Sequence, residues 1–588
     1  MFAAIFDASG RPIEIGRFGL GQPGGFDVRV PPAATNVAFI VGRSGYAGTT
    51  ETHLALPATG RIGVVGRIRL DRKTELRARL GATDDLSDTD LVGLAHERWG
   101  EACTEHLAGD FCFVTLDLRQ RQLVAARDQL GVRALYYTRL DGTWLISDSL
   151  DWLAGQRPDV PELDDYWIAD FLTLGFCREF ERTIYRDIHR LPPGHSLRLG
   201  AGEAAPRRYW RLEIDEPLYL KRTIDYGERF RDLVKSAIAD RLPGGTVGIA
   251  MSGGLDSTTL AALAVEHIQD ASRVVAECLH YEHLMDIGED HYAALAAHHL
   301  GIELKVRPFD ELVYDRSWRD RNIRSAEPTK SLLDAHHLRA VGLDRSRRAE
   351  VWFEGEGPDN ALDLERAAYL GWLRRQRSWS RLGATWLQYA KVKGLSGWKQ
   401  SLRRHLQPDR FEPQPPDIPP WLDRGLIADL KLRQRAEALN TGGDTSHAWH
   451  PQAFASFTSP IWQHYFGQCD FEETLAPVRT RHPYLDLRVL EFMLRVPPIP
   501  WGWKKQLVRY AMHDRLPRPI LEREKTPLAL HPDVALARRE GIPALAASDR
   551  LRRFVDVARL PDPSDPPAVV HRLFAVHALD TWLETRGS

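Results

Sequence analysis

Between residues 246 and 268 the chain reads Thr-Val-Gly-Ile-Ala-Met, then Ser252-Gly253-Gly254-Leu255-Asp256-Ser257, then Thr-Thr-Leu-Ala-Ala-Leu-Ala-Val-Glu-His-Ile. No other stretch restricts the fold as tightly. A short apolar run ending in glycines predicts a strand buried on both faces, and the alanine- and leucine-rich run after it predicts a helix packed on that strand. The unit recurs: RVVAECLHY (273–281) reads as a strand and DHYAALAAHHLG (290–301) as a helix, while YGERFRDLVKSAIADRL (226–242) reads as a helix ahead of both. This alternation implies a parallel sheet with helices on both faces. The loop between strand and helix suits an anion. Gly253 and Gly254 lack a Cβ, so their N–H groups can close around phosphate oxygens, and the helix opened by Ser257 adds its dipole and free amides. A carboxylate at Asp256 is repulsive there unless a cation lies between, which points to Mg²⁺. No lysine opens the helix, so this is a different loop from G-x-x-x-x-G-K-[ST].

Two further clusters fit such a site. Glu354-Gly355-Glu356-Gly357-Pro358-Asp359 follows an apolar run at 351–353. Its glycines predict a tight turn at a strand end, where α/β ligand sites gather; Asp359 offers a second metal ligand and Glu356 a general base. The third cluster is Arg481-His482-Pro483-Tyr484-Leu485-Asp486 with Lys505, Arg509 and Arg523-Glu524-Lys525 beyond it. Here composition matters: only 12 of the 78 basic residues are lysine, and three of those fall at 504, 505 and 525. A compact ammonium suits a pyrophosphate or a tetrahedral oxyanion.

The first ~200 residues look different. Short β-prone runs, 62–70 and 111–117, are broken by Gly, Pro and Asp; FCFVTLDLRQRQLVAARD predicts a hairpin, and 88–107 predicts a helix capped by Asp88. Turn formers cluster at Pro192-Pro193-Gly194 and 200–206, placing a domain boundary near 205. A formal net charge of −2 gives no general pull towards nucleic acid. Five scattered cysteines without a C-x-x-C pair argue against a disulfide framework and for a reducing, cytoplasmic setting. The start lacks a signal-peptide pattern, and no apolar run is long enough to span a membrane.

The three clusters, in this order, resemble the asparagine synthetase family of ATP-pyrophosphatases, over nearly the whole chain. Leu107-Ala108-Gly109-Asp110-Phe111 and Arg127-Asp128-Gln129-Leu130-Gly131 are similar to its class II glutaminase domain. The resemblance implies an α/β fold: a glutaminase-like β-sandwich with helices over 1–205, and a doubly wound parallel-sheet domain with helical additions over 206–588. It implies ATP and Mg²⁺ as cofactors. Ser252, Gly253, Gly254, Asp256 and Ser257, with Met251 at the strand end and Gly355 and Gly357 opposite, would bind ATP and pyrophosphate. Asp256 and Asp359 would hold the metal, and Glu356, Lys505 and Lys525 would be catalytic. Arg479, Arg481, Tyr484 and Asp486 would line the substrate pocket. Where the glutaminases carry an N-terminal cysteine nucleophile this sequence has Phe2, which implies a retained domain without glutaminase chemistry.

Departures refine the resemblance. Asp359-Asn360-Ala361-Leu362 replaces the D-E-L-F of asparagine synthetases, Arg479 stands for a carboxylate, and Glu356 stands where β-lactam synthetases have tyrosine. Together these look most like lasso peptide cyclases, which adenylate an Asp or Glu side chain of a core peptide for attack by its own N-terminal amine. The partners then implied are a precursor core peptide, a leader peptidase and a leader-recognition protein, with no nucleic acid. The alternatives are an ammonia-dependent asparagine synthetase or another small-molecule amide or β-lactam synthetase, and a non-catalytic scaffold of a maturation complex. Residues 366–404 hold ten Lys/Arg, four Trp and no Asp or Glu, which predicts a basic amphipathic helical insert about 366–410.

Overall fold

The computed structural model describes the chain apart from residues 19–25, 43–51, 56–60, 201–203, 215, 282–287, 310–324, 331–334, 405–414, 525–533, 536–537, 540–544, 563–564 and 587–588. Alternating apolar residues in the first third build two antiparallel sheets laid face to face. The strands are β1 (Phe2–Asp7), β2 (Phe26–Arg29), β3 (Val37–Gly42), β4 (Thr52–Ala55), β5 (Ile62–Leu70), β6 (Gly109–Asp117), β7 (Gln122–Arg127), β8 (Tyr136–Leu140), β9 (Thr143–Ser147), β10 (His189–Arg190), β11 (His195–Leu199) and β12 (Pro206–Arg208). One sheet runs β10-β8-β9-β1-β3-β2 and the other β12-β11-β7-β6-β5-β4. Period-two alternation decides what each face meets. Phe2, Ala4 and Phe6 point between the sheets with Val114 and Leu116, whereas Ala3 and Ile5 point outward. The helix Asp88–Trp99 covers the outer face of the second sheet, against Val64 and Phe111. Its cap is Ser87, in a capping box with Asp90, rather than the expected Asp88; Gly100 ends the α-helix and a 3-10 helix continues to His106.

The outer face of the first sheet is covered by the helix Asp165–Leu174 and by the C-terminal helix Pro567–Arg586, whose Leu573, Val576, Leu579 and Leu583 pack against Ala3, Ile5 and Phe171. The end of the chain thus returns to the first sandwich.

The second domain holds a five-stranded sheet, β15-β14-β13-β16-β17, formed by Val247–Ala250 (β13), Val274–His280 (β14), Glu303–Pro308 (β15), Val351–Phe353 (β16) and Arg479–Arg481 (β17), with every neighbouring pair parallel. Val274, Ala276 and Cys278 face the helices Leu255–Ile268 and Glu289–Leu300, while Val275 and Trp352 face the opposite side with Leu343. The α/β doubly wound domain expected from the sequence is present. Successive strands step outward from β13 to β15, and the chain then crosses back to β16. The crevice between β13 and β16 is therefore the topological switch point, where loops diverge at the carboxyl ends of the strands.

The basic segment forms two helices, Arg366–Arg375 and Trp379–Arg404. Glu365 immediately precedes the first, 5% exposed, and its carboxylate accepts the Gln452 and Ala453 N–H groups at 2.8 Å each. Burial pushes its pKa up to about 7 against those two hydrogen bonds. A raised carboxyl pKa means that the folded state holds a proton that the unfolded chain has released. The associated stability is complete at pH below about 4.5 and is lost as pH rises through about 7. Denaturation midpoints followed by circular dichroism are expected to fall from pH 5 to pH 8, and the slope to flatten in Glu365→Gln.

Candidate active site

The two sequence-predicted turns meet at the switch point. At the end of β13 the Met251 N–H donates to the Glu277 carbonyl at 2.8 Å, extending the ladder, and its side chain is buried in the core, so it offers backbone rather than side chain to the crevice. Gly253 has φ +66, and a Cβ there would lie 2.5 Å from the Ala293 nitrogen. Only glycine lets the loop sit this close to the helix Glu289–Leu300. The helix Leu255–Ile268 starts directly after Gly254, whose carbonyl accepts the Thr258 N–H at 3.1 Å and the Ser257 and Thr258 hydroxyls at 3.3 and 2.8 Å. The amides of the first turn are left for a ligand. A Cβ at Gly355 would lie 3.3 Å from the Ser257 nitrogen, so glycine on the facing turn keeps that amide open.

On the other side, the Glu354 N–H donates to the Arg481 carbonyl at 3.1 Å, and the Tyr465 hydroxyl donates to the Glu354 carboxylate. Gly357, at φ +128, packs against Tyr484 and turns the chain into the short helix Pro358–Ala361 that carries Asp359. Lys505 closes the cluster. Its ammonium hydrogen-bonds the Asp256 carboxylate and lies 2.7 Å from Asp359 Oδ1. Burial alone would lower its pKa, but the two carboxylates outweigh that and hold it above its ordinary value. Lys504 and Lys505 both have left-handed backbones, φ 47 and 56, a conformation that costs a non-glycine residue on the order of 1 kcal/mol each and here aims Lys505 into the crevice. Glu356 stands at the exposed mouth. Partial desolvation and then the carboxylates of Glu354, Asp359 and Asp256 raise its pKa above the usual range, with Lys505 opposing.

Two arginines of the third cluster, to which sequence alone assigned no role, complete the rim. Arg523 donates to the Ser252 carbonyl at 3.3 Å and lies over the Tyr292 ring at 4.4 Å. Arg509 donates to the carbonyls of Lys504 at 2.6 Å and Arg523 at 2.9 Å. Lysine scarcity marks 504, 505 and 525, whereas an arginine in an arginine-rich chain carries no comparable signal of its role. Lys525 lies outside the described residues.

Three of the four residues assigned to a substrate pocket require correction. Tyr484 is fully buried under the phosphate loop, its hydroxyl donating to the Asp256 carbonyl at 2.9 Å. Arg481 is 8% exposed and donates to the Arg241 carbonyl. Asp486 is 2% exposed, caps the helix Leu487–Arg495 and pairs with Arg241 at 2.8 Å and Arg488 at 2.7 Å. These three shape and anchor the loop from below. Arg479 pairs with Glu350 and faces a cavity of about 670 Å³ between the two domains, lined also by Arg67, Arg127, Asp148, Gln463 and Asp470, which does not include Asp256 or Glu356.

The donor chemistry at Asp256 and Asp359 fits a divalent ion: two carboxylates converge on one cationic group, and Lys505 occupies that position. Among the described residues, three carboxylates come within 4.8 Å of one another only at Asp71, Asp240 and Asp486. That cluster is neutralised by Arg241 and Arg488. Burial pushes the thiols of Cys103 and Cys278 up to about 12 and those of Cys112, Cys177 and Cys469 well above their ordinary value. At the start of β1, Phe2 packs wholly inside the sandwich. No helix among the described residues is long and apolar enough to cross a membrane.

Known proteins share this organisation. The asparagine synthase family model matches residues 229–561, and a glutamine amidotransferase domain model matches residues 69–210. The glutamine-hydrolysing asparagine synthetase 3 of Bacillus subtilis is 23% identical over 548 residues, covering 88% of this chain and 80% of that protein. The amidase chyE of Penicillium rubens is 24% identical over 461 residues, 70% of this chain and 66% of its own length. A putative glutamine-hydrolysing asparagine synthetase of Mycobacterium tuberculosis is 32% identical over 209 residues, 34% of this chain and 31% of its own length. Because one family model accounts for more than half of its residues, including both turns of the crevice, the chain belongs to the asparagine synthase family.

Proposed function

We propose that this protein is an ATP-dependent amide-forming ligase that closes a macrolactam ring in a peptide, as lasso peptide cyclases do. The observation that carries the ligase part is the junction of the phosphate-type loop, Asp256, Asp359 and Lys505 at the switch point. The substrate is a core peptide with an Asp or Glu side chain and a free N-terminal amine. A peptidase that exposes that amine and a protein that presents the leader are the implied partners.

The carboxylate oxygen attacks the α-phosphorus of ATP, the bond to the β-phosphate oxygen breaks, and pyrophosphate leaves. The loop amides at Gly253, Gly254 and Ser257 bind the phosphates, with Lys505, Arg509 and Arg523 facing the charge of the leaving group. A Mg²⁺ held by Asp256 and Asp359 would supply further charge neutralisation. The amine then attacks the acyl carbon, AMP leaves, and the amine proton goes to Glu356, whose raised pKa makes it a better base than an ordinary carboxylate. Holding both reacting groups in one peptide makes the second step intramolecular.

The test is mass spectrometry of leader-free peptide incubated with ATP and Mg²⁺. The product should be lighter by one water, with one AMP and one pyrophosphate formed per ring. An unchanged peptide mass beside an active control cyclase would refute the reading. A second reading, ammonia-dependent amide formation on a small acid such as aspartate, is favoured by the Bacillus synthetase's similarity over 88% of this chain. Pyrophosphate release with aspartate and ammonia, and none with peptide, would select it.

Glu356 gives a further expectation. A base must be deprotonated to act, so ring closure should rise with pH along a limb displaced upward from the ordinary carboxylate range. Glu356→Gln should remove that limb and slow closure by about 10²–10⁴-fold. Pyrophosphate formation in single turnover should change far less, because adenylation precedes the proton transfer.

A further inference from the structure

The basic insert turns one face inward and leaves the other unspent. Tyr369, Leu370, Trp372, Leu373, Thr385 and Tyr389 are buried. Tyr389 meets the Trp503 ring edge-on at 6.4 Å, directly before the Lys504–Lys505 turn, so the insert is rooted on the segment that carries the crevice lysine. On the outer face Trp379 is 62% and Leu387 60% exposed, among the most exposed large apolar side chains described. They stand two helical turns apart, about 12 Å along the axis, with Gly383 between them and Lys391 one turn beyond. Arg374, Arg375, Arg377 and Arg381 lie within the same basic segment, all exposed. The segment 366–404 contains no Asp or Glu, and none of these four arginines or Lys391 is in an ion pair among the described residues. Exposed tryptophan in an arginine-rich, acid-free segment is the composition of a binding hot spot rather than of a solvated face.

We propose that this face docks an acidic, extended segment of the peptide substrate, holding it beside the crevice; the assignment rests on the peptide reading given above. Charge complementarity selects the occupant: Arg375 donates to the Ala448 carbonyl and Arg381 lies over the Tyr219 ring, but the surface's cations have no carboxylate among the described residues, and it favours a chain rich in Asp and Glu. The spacing selects its conformation. In an extended strand, residues i and i+4 lie on one face about 13 Å apart, which matches the separation of Trp379 and Leu387. A membrane fits less well. A surface-seeking helix buries a broad apolar face in lipid, whereas residues 379–391 of this helix bury Thr385 and Tyr389 in the fold and show Gly383, Ala384 and Gln388 beside the two apolar side chains.

The probe is a fluorescein-labelled twelve-residue peptide with leucines four apart among Asp and Glu, followed by fluorescence anisotropy with the full chain. A control peptide carries Asn and Gln in place of the acids. Two variants are compared, Arg377→Glu/Arg381→Glu/Lys391→Glu and Trp379→Ser, with circular dichroism to verify folding. The acidic peptide should bind the wild-type chain, and its affinity should fall about tenfold or more in the triple variant and for the control peptide. Equal binding to the triple variant overturns the proposal. So does failure of the wild-type chain to bind the peptide, including the case in which it binds phosphatidylserine vesicles instead. The docking claim and the peptide-cyclase reading fail separately. Without the reading, anisotropy still reports the surface while no peptide releases pyrophosphate. Without the surface, KM and kcat for peptide-dependent pyrophosphate release are the same in the triple variant; with it, KM rises at constant kcat.

Discussion

Replacing Lys505 by alanine is expected to slow substrate-dependent pyrophosphate release by about 10²–10³-fold, the scale found when one preorganised donor is removed from charge developing in a transition state. The effect should be on kcat more than on KM, because the charge Lys505 faces grows as pyrophosphate departs. A second readout separates this role from a structural one. Lys505 is the cation that now neutralises Asp256 and Asp359. Without it two carboxylates share one site, so calorimetric titration should show Mg²⁺ binding more tightly to Lys505→Ala than to the wild-type chain. Slower turnover together with weaker Mg²⁺ binding would contradict the arrangement, since it would mean that the lysine supports the metal ligands instead of competing for them. Asp256→Asn should lose turnover as well, with Mg²⁺ affinity falling.

Arg241→Met should be the most destabilising single change outside the crevice. Arg241 is 2% exposed and bridges the domains, pairing with both carboxylate oxygens of Asp71 at 3.0 Å and with Asp486 at 2.8 Å. Asp71 also holds Arg69, and Asp486 also holds Arg488, so one guanidinium links two buried charge clusters. Removing it leaves carboxylates short of a countercharge where water cannot replace it, at a cost of about 3–5 kcal/mol. Chemical denaturation should show this as an earlier first transition. Arg518→Ala, which breaks an exposed pair with Glu522, should leave the denaturation midpoint essentially unchanged. The pH dependence follows from Asp486. Burial acts to raise its pKa, but Arg488 and Arg241 overcome this and hold the carboxyl well below the ordinary range. A depressed carboxylate contributes stability that is present above the unfolded value and lost as pH falls, so the gap between wild type and Arg241→Met should narrow in acid. Turnover should drop too, because Asp486 caps the helix that follows Tyr484, and Tyr484 holds the Asp256 carbonyl.

Burial raises the pKa of the first domain's Cys103, Cys112 and Cys177, and Phe2 packs inside the sandwich. The first domain meets the second through a buried ion pair. Its Asp71 reaches across to Arg241, and the C-terminal helix packs on its outer sheet.

The residues that local chemistry dictates could be read directly. A glycine loop between a strand buried on both faces and a helix has one low-energy arrangement, so the positions of Gly253, Asp256 and Ser257 follow from composition and spacing. The same holds for the hairpin of β6 and β7. The cap of the helix that begins at Asp88 is Ser87 rather than Asp88, because both are good caps and only the capping-box geometry separates them.

Long-range pairing escaped the reading. Arg481, Tyr484 and Asp486 carry polar groups next to a functional motif, and such residues read as a pocket until burial is known. In the folded protein their partners are 228 to 245 residues away in sequence, at Asp256 and Arg241. Arg509 and Arg523 stood in the third cluster without a role for the converse reason: among so many arginines, only three-dimensional approach to Ser252 and Lys504 gives them one. Sequence alone determined the strand–loop–helix unit, the parallel sheet it demands and the carboxylates that ring it, because these rest on backbone freedom and hydrophobic period. Tertiary structure alone decided which charges face the crevice and which are spent as buried ion pairs, because desolvation and Coulomb attraction depend on distances that no spacing along the chain encodes.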